Sequence, residues 1–281
     1  MPWSERQRAM LREMGLRVWQ TAAPPGLPEP PSNAPAARPT LAPQEASPSH
    51  GPASWPAQRP SKGLPQHLPQ PLPQPLPAAH EAGISADVAA LDWPGLREAV
   101  AGCRACRLCE GRKQTVFGVG HVRAHWMIVG EAPGAQEDEQ GEPFVGAAGQ
   151  LLDSMLRALH LSRAEEGDPA TRAFIANTLK CRPPGNRNPQ PDELERCEPF
   201  LVRQIQLVQP RLILAMGRFA VQALLRTAEP IGRLRGRVHR YQGVPLVVTY
   251  HPAYLLRSLH DKARAWEDLC LAADTMERAA S

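Results

Sequence analysis

From about residue 86 onward, short unbroken apolar runs alternate with longer segments whose apolar residues recur every three or four positions. The runs are HWMIVG (125–130), AFIANTL (173–179), RLILAMG (211–217) and PLVVTYHP (245–252). Each predicts a strand buried on both faces, because a strand with one wet face would alternate apolar and polar residues. The periodic segments predict helices. They are VAALDWPGLREAVAGC (88–103), AAGQLLDSMLRALHL (147–161), PDELERCEPFLVRQIQLV (191–208), RFAVQALL (218–225) and residues 261–279. Pro-Asp-Glu at 191–193 is a helix start signal. Strand followed by helix, repeated, predicts a three-layer α/β/α sandwich with a central, mostly parallel four-stranded sheet. Ligands of such sheets sit beyond the carboxyl ends of the strands. The segments to inspect are therefore GEAPG (130–134), Asn177 and its successors, MGR (216–218) and YHPAYLLR (250–257).

The first 85 residues follow a different pattern. Residues 1–20 predict a short amphipathic helix, with Met10, Leu11, Met14, Leu16 and Trp19 near one face and Ser4 as its cap. Eighteen prolines fall within 23–80, ending in LPQHLPQPLPQPLP (64–77). Such a stretch lacks backbone donors and apolar mass, so residues 21–85 are expected to be a disordered or polyproline linker. Two readings of this part stay open, a spacer with no specific partner or residues 1–20 as a tethered peptide that docks on another protein, and 86–281 is the folded domain.

Charge adds a second contrast. The chain of 281 residues carries a formal charge of +4. Residues 1–92 hold equal numbers of acidic and basic side chains, so the excess lies on the folded part. Arginine supplies it, since lysine occurs only at 62, 113, 180 and 262. The arginine fork suits phosphate and carboxylate recognition. RLRGRVHR (233–240) is the densest such stretch, readable as a phosphate-facing segment or as a solvated hairpin. No apolar run is long enough to cross a bilayer, and the charged N-terminus has no signal core. That points to the cytoplasm, where clustered cysteines are more often metal ligands than disulfides.

The six cysteines are Cys103, Cys106, Cys109, Cys181, Cys197 and Cys270. CRACRLC (103–109) does not continue as a ferredoxin run, because position 113 is lysine. A zinc ribbon needs a second CxxC knuckle, which the chain lacks. Cys181 follows a strand end and Cys197 lies on the next helix, so both can approach one edge of the sheet. Two thiolates from the knuckle and two from this pair would suit either zinc or a [4Fe–4S] cluster, and spacing alone leaves both open.

GEAPGAQEDEQGEPFVGAAGQLL (130–152) follows the first strand. Its glycines allow close backbone approach to a ligand, but it is neither GxGxxG nor GxxxxGK[ST]. Its acidic middle is expected to be a solvated turn, with Glu131, directly after the strand, the better binding acid. Asn177 ends the second strand with an amide that can read the edge of a nucleobase. Phe144 and His251 complete the rim set.

Taken in order, CxxC (103–106), VFGVG (116–120), MIVGEAPG (127–134), PFVGAAGQLL (143–152), NTLKCRPPGNRNP (177–189) and HPAYLLR (251–257) resemble the iron–sulfur, or family 4, uracil-DNA glycosylases. The resemblance runs from about Cys103 to Arg257. It implies a [4Fe–4S] cluster on Cys103, Cys106, Cys181 and Cys197, with Cys109 and Cys270 as bystanders. It implies monomeric action on uracil-containing DNA, with hydrolysis of the N-glycosidic bond and no membrane association. Gly130, Glu131, Ala132, Phe144, Asn177 and His251 would bind uracil. Phe144 would stack on it, and Asn177 would read its N3–H and O4. His251 would stabilise the departing base, Glu131 the developing charge, and Glu137 would act as base. Asn186, Arg187 and Arg257 would contact DNA, with Leu255 and Leu256 as the wedge that replaces the everted nucleotide. Better-known uracil glycosylases carry aspartate at the position of Ala132. Two other classes remain on residues alone: an iron–sulfur electron-transfer protein, and a module that binds uracil in DNA without cleaving it.

Overall fold

The structure, a computed structural model, describes residues 87–280. The helix expected at 1–20 and the linker expected at 21–85 lie outside the described residues.

Six strands form one sheet: β1 (Val119–Gly120), β2 (Trp126–Gly130), β3 (Ala173–Asn177), β4 (Leu212–Met216), β5 (Val238–Tyr241) and β6 (Val244–Thr249). Their spatial order is β1-β3-β2-β4-β6-β5. The four expected strands are the parallel centre, β3-β2-β4-β6. The expected count of four is corrected to six by an antiparallel strand at each edge. β1 is only two residues long, and β5 alternates exposed and half-buried residues, so neither carries the continuous apolar signature of the centre.

Helices cover both faces. They are α1 (Trp93–Gly102), α2 (Leu108–Gly111), α3 (Ala135–Gln140), α4 (Ala147–Ala158), α5 (Pro191–Val208), α6 (Arg218–Leu225), α7 (Ile231–Leu234), α8 (Pro252–Leu255) and α9 (Asp261–Ala280). Strand alternation sorts the core into two halves. Met127, Val129, Phe174, Ala176, Ile213 and Ala215 point to the side of α1, α5 and α6. Trp126, Ile128, Ile175, Leu212 and Leu214 point to the side of α4, α8 and α9. Burying a leucine-sized side chain on either side contributes about 1.5–3 kcal/mol, which is why the central strands show no polar position before their ends.

Two expectations change. The helix expected as one piece from 88 is a short helical piece at 87–90 followed by α1, because Asp92 caps a new start by accepting from Gly95 N–H at 2.9 Å. The acidic stretch expected as a solvated turn contains α3. Its Asp138 is buried and accepts from Lys113 N–H at 3.0 Å, which joins the stretch to the segment after the cysteines. Among the described residues no helix is long and apolar enough to cross a membrane.

Candidate active site

The parallel register aligns the strand ends. Gly130 pairs with Asn177, and Met216 with Thr249. Glu131, Thr178, Gly217 and Tyr250 therefore leave the sheet along one rim. Above that rim lies a cavity of about 810 Å³. Glu131, Ala132, Glu137, Phe144, Asn177, Asn186, Arg187, His251 and Arg257 all line it.

Gly130 explains how two of these come together. A Cβ at this position would stand 2.4 Å from Asn177 Oδ1 and 2.6 Å from Phe144 Cζ. Only glycine lets the amide and the ring close over the strand end. Phe144 itself has φ 55°, and a Cβ on Gly149 would sit 1.7 Å from its carbonyl oxygen. The loop is thus pressed onto the first turn of α4, which fixes the ring. His251 stacks on Phe144, with centroids 5.3 Å apart and planes at 26°.

Polarity within the cavity is specific. Asn177 is buried, and its Oδ1 has no hydrogen-bond partner. A buried, unpaired carbonyl costs about 1–3 kcal/mol, so the position is arranged to receive a donor. His251 caps α8, its Nδ1 accepting from Ala253 N–H at 3.2 Å. A backbone N–H can only be received by an unprotonated ring nitrogen, so in the neutral ring Nε2 carries the proton. Burial pushes the imidazole down to about 4, with Arg257 adding to the shift, which keeps it neutral near pH 7.

Glu131 is raised above the usual carboxylate range by burial, opposed by the amides of Phe219 and Arg218. Its Oε1 accepts from Phe219 N–H at 3.2 Å, at the start of α6. Gly217, with φ 91°, makes room for it, since a Cβ there would meet Oε1 at 2.4 Å. One carboxylate oxygen is therefore committed to a helix start. Glu137 folds over Gly134, where a Cβ would meet its Oε2 at 2.5 Å.

The DNA-facing expectations divide. Leu255 is fully buried in the core beside α4 and α9, whereas Leu256 is 42% exposed. Of the pair expected as a wedge, Leu255 is thus taken up by the core and only Leu256 reaches the surface, because the α8 turn sends successive side chains in different directions. Arg187 holds Glu193 with two hydrogen bonds, and Glu193 also accepts from Gln190 N–H at 2.9 Å at the start of α5. Asn186 accepts from Arg182 Nε at 2.7 Å. Among the cavity residues not singled out from sequence are Arg218, Phe219, Tyr250 and Tyr254. They lie in MGRF and YHPAY, beyond strand ends already marked for inspection. What the sequence does not show is that Arg218 lies over the Phe219 ring at 4.5 Å, or that Tyr250 and Tyr254 rest against each other.

Cys103, Cys106, Cys109, Cys181 and Cys197 line a second pocket between α1, α2 and α5. Burial pushes the Cys197 thiol up to about 12 and raises those of Cys181 and Cys106. The thiols also act on one another: Cys106 and Cys103 raise Cys181, and Cys181 and Cys103 raise Cys197. Arg112 Nη1 donates to Cys181 Sγ at 3.0 Å, and Lys180 N–H donates to Cys197 Sγ at 3.3 Å. Cations and N–H groups aimed at sulfur are what a thiolate-held group needs. Among the described residues no three His, Cys, Asp or Glu side chains are grouped to hold one metal ion. Cys270 lies apart, packed against the other half of the core.

Residues 117–270 match the family model described as the uracil DNA glycosylase superfamily. This chain belongs to the uracil-DNA glycosylase superfamily. Its relatives place it in the type-4 branch. A type-4 uracil-DNA glycosylase of Pyrobaculum aerophilum is 42% identical over 191 residues, covering 64% of this chain and 93% of the relative. One from Archaeoglobus fulgidus is 42% identical over 162 residues, covering 55% and 78%. One from Sulfurisphaera tokodaii is 39% identical over 169 residues, covering 57% and 74%. Residues 117–270 contain the whole lining of the cavity, together with Cys181 and Cys197 of the cysteine pocket, whereas Cys103, Cys106 and Cys109 precede them.

Proposed function

We infer that this glycosylase everts uracil from DNA and hydrolyses its N-glycosidic bond, leaving free uracil and an abasic site. One observation carries the reading. A buried, unpaired amide oxygen, an aromatic ring and a neutral imidazole that bears its proton on Nε2 border the same cavity at the strand ends.

The chemistry follows from what uracil offers. A base inside a duplex is inaccessible, so it must be flipped into a pocket and read at its Watson–Crick edge. Phe144 supplies a face for stacking. Asn177 Oδ1 receives N3–H, and its amino group meets O4. Cytosine presents an acceptor at N3, which would leave Oδ1 unpaired in a buried site. Sites that read a polar edge this way reject the wrong edge by about 10⁴–10⁵-fold. When the C1′–N1 bond breaks, the electron pair moves into the uracil ring and negative charge grows on O2. His251 Nε2–H is the donor for that charge, and a preorganised donor of this kind contributes about 10²–10³-fold. The sugar becomes cationic meanwhile. Glu131 and Glu137 face that charge across the cavity, Glu131 held by α6 and Glu137 free to position water.

The cysteine pocket fits a [4Fe–4S] cluster on Cys103, Cys106, Cys181 and Cys197. A single zinc would need four sulfurs about 2.3 Å from one point. Four thiols that ring one pocket are the donor set a [4Fe–4S] cluster would take. Held there, a cluster would join the end of α1 to α5 and to the loop after β3, and hydrolysis has no electron to pass. An electron-transfer role would leave the oriented groups of the cavity without a purpose.

The test is incubation of the cluster-loaded protein with an oligonucleotide carrying one uracil. Release of uracil with an alkali-labile site is expected. An intact oligonucleotide, with iron confirmed in the protein, refutes the reading.

A further inference from the structure

Lys180 is fully buried, yet no carboxylate pairs with it. Its ammonium donates to Asn177 O at 2.8 Å and to Gln204 Oε1 at 2.6 Å. Gln204 is also fully buried, and its Nε2 donates to Phe117 O at 2.9 Å. Burying an ammonium without a counter-charge is costly, and a methionine would fill the same space without that cost. Its own backbone N–H meets Cys197 Sγ at 3.3 Å, and Cys181 is the next residue. Burial lowers the ammonium to about 8, with the sulfurs of Cys197 and Cys181 opposing that shift.

The other end of the side chain acts on the strand end that reads the base. The peptide joining Asn177 to Thr178 is gripped on both edges. Its carbonyl accepts from Lys180, and its N–H donates to Gly130 O at 3.0 Å. Thr178 Oγ1 and Leu179 N–H then bond Glu131 O. The direction of the Asn177 side chain is set by this peptide plane.

We propose that Lys180 is a positioning residue for base discrimination, its buried side chain, anchored on Gln204, fixing the Asn177 peptide and with it the direction of the uracil-reading amide. The proposal rests on the reading of the cavity as a uracil site.

The variants are Lys180→Met and Lys180→Arg in the full, iron-loaded chain. Three quantities are measured beside wild type: iron per chain, amide hydrogen exchange at Thr178 and Leu179, and single-turnover cleavage as a function of oligonucleotide concentration. Lys180→Met is expected to keep its iron. It is expected to exchange Thr178 N–H about tenfold faster and to need about tenfold more substrate for half-maximal rate, the loss of one charged hydrogen bond, with a smaller change in the maximal rate. Preference for uracil over cytosine should fall in step. Lys180→Arg, which keeps the cation, should recover most of each. Wild-type exchange and half-saturation in iron-loaded Lys180→Met overturn the proposal. Loss of iron and fold in both variants overturns it equally, since Lys180 would then serve only the pocket's assembly. A wild-type protein that leaves uracil in place refutes the glycosylase reading, and the exchange measurement still decides whether Lys180 holds the Asn177 peptide.

Discussion

Adding one methyl group at Gly130 should impair uracil cleavage far more than it impairs folding. The residue is the last of β2, in register with Asn177. In Gly130→Ala the new carbon would stand 2.4 Å from Asn177 Oδ1 and 2.6 Å from Phe144 Cζ, closer than carbon tolerates, so both groups must retreat. Phe144 cannot yield through its backbone, because Gly149 lies against its carbonyl. The ring must leave its rotamer, at a cost of about 0.5–1.5 kcal/mol. Overpacking of this size destabilises a core by about 1–3 kcal/mol in total, so the domain should still fold. A displacement near 1 Å in a reacting constellation costs about 10²-fold in rate, and here two groups that flank the base move apart together. The assay is single-turnover release of uracil at saturating protein, paired with thermal unfolding. Gly102→Ala is the control, since its Cβ would meet no atom within 4 Å. Cleavage by Gly130→Ala within about threefold of wild type, at unchanged iron content, would refute the claim that this glycine brings ring and amide together.

Other outcomes follow from the same geometry. Asn177→Asp replaces the donor facing O4 by an acceptor, and the preference for uracil over cytosine in competition assays should fall by about 10–10²-fold, the worth of one mispaired buried group. His251→Gln should slow the single-turnover rate about 10²–10³-fold while changing half-saturation little. Because the imidazole is held down near 4, cleavage should show no ionisation at the ordinary histidine value and should fall only as pH drops toward 4. The same depression makes His251 stabilise the fold above its unfolded value near 6.5, a contribution of about 3 kcal/mol that is lost as pH falls through 4. Urea unfolding from pH 8 to pH 4 would measure it, and a pH-insensitive His251→Gln variant identifies the group. Leu255→Ala should lower stability by about 2–5 kcal/mol. Leu256→Ala should leave it within about 0.5 kcal/mol of wild type yet weaken cleavage of duplex substrate, a contrast that thermal unfolding and cleavage assays resolve together.

The order of elements was written in the chain because the central strands are buried on both faces. A run such as MIV or LIL has no polar position to confuse it, and helix periodicity fills the intervals. Candidate chemistry was legible for a related reason: in a parallel sheet the residue after a strand must lie at the rim, so Glu131, Asn177 and His251 could be marked without coordinates. The packing of neighbours was decided in three dimensions. β1 and β5 are edge strands, with pairing on one side and little apolar content, so local sequence does not announce them. Leu255 and Leu256 are identical letters in adjacent positions, and only the turn of α8 buries one and exposes the other. Glu131 reads as a free acid until β4 and α6 bring two amides to it across 88 positions. The union of Gly130, Phe144 and Asn177 over one point, and of Lys180 with the thiols on one side and the Asn177 carbonyl on the other, depends on strand register and helix docking. Those are set by the summed burial of the whole core, which no local stretch of sequence contains.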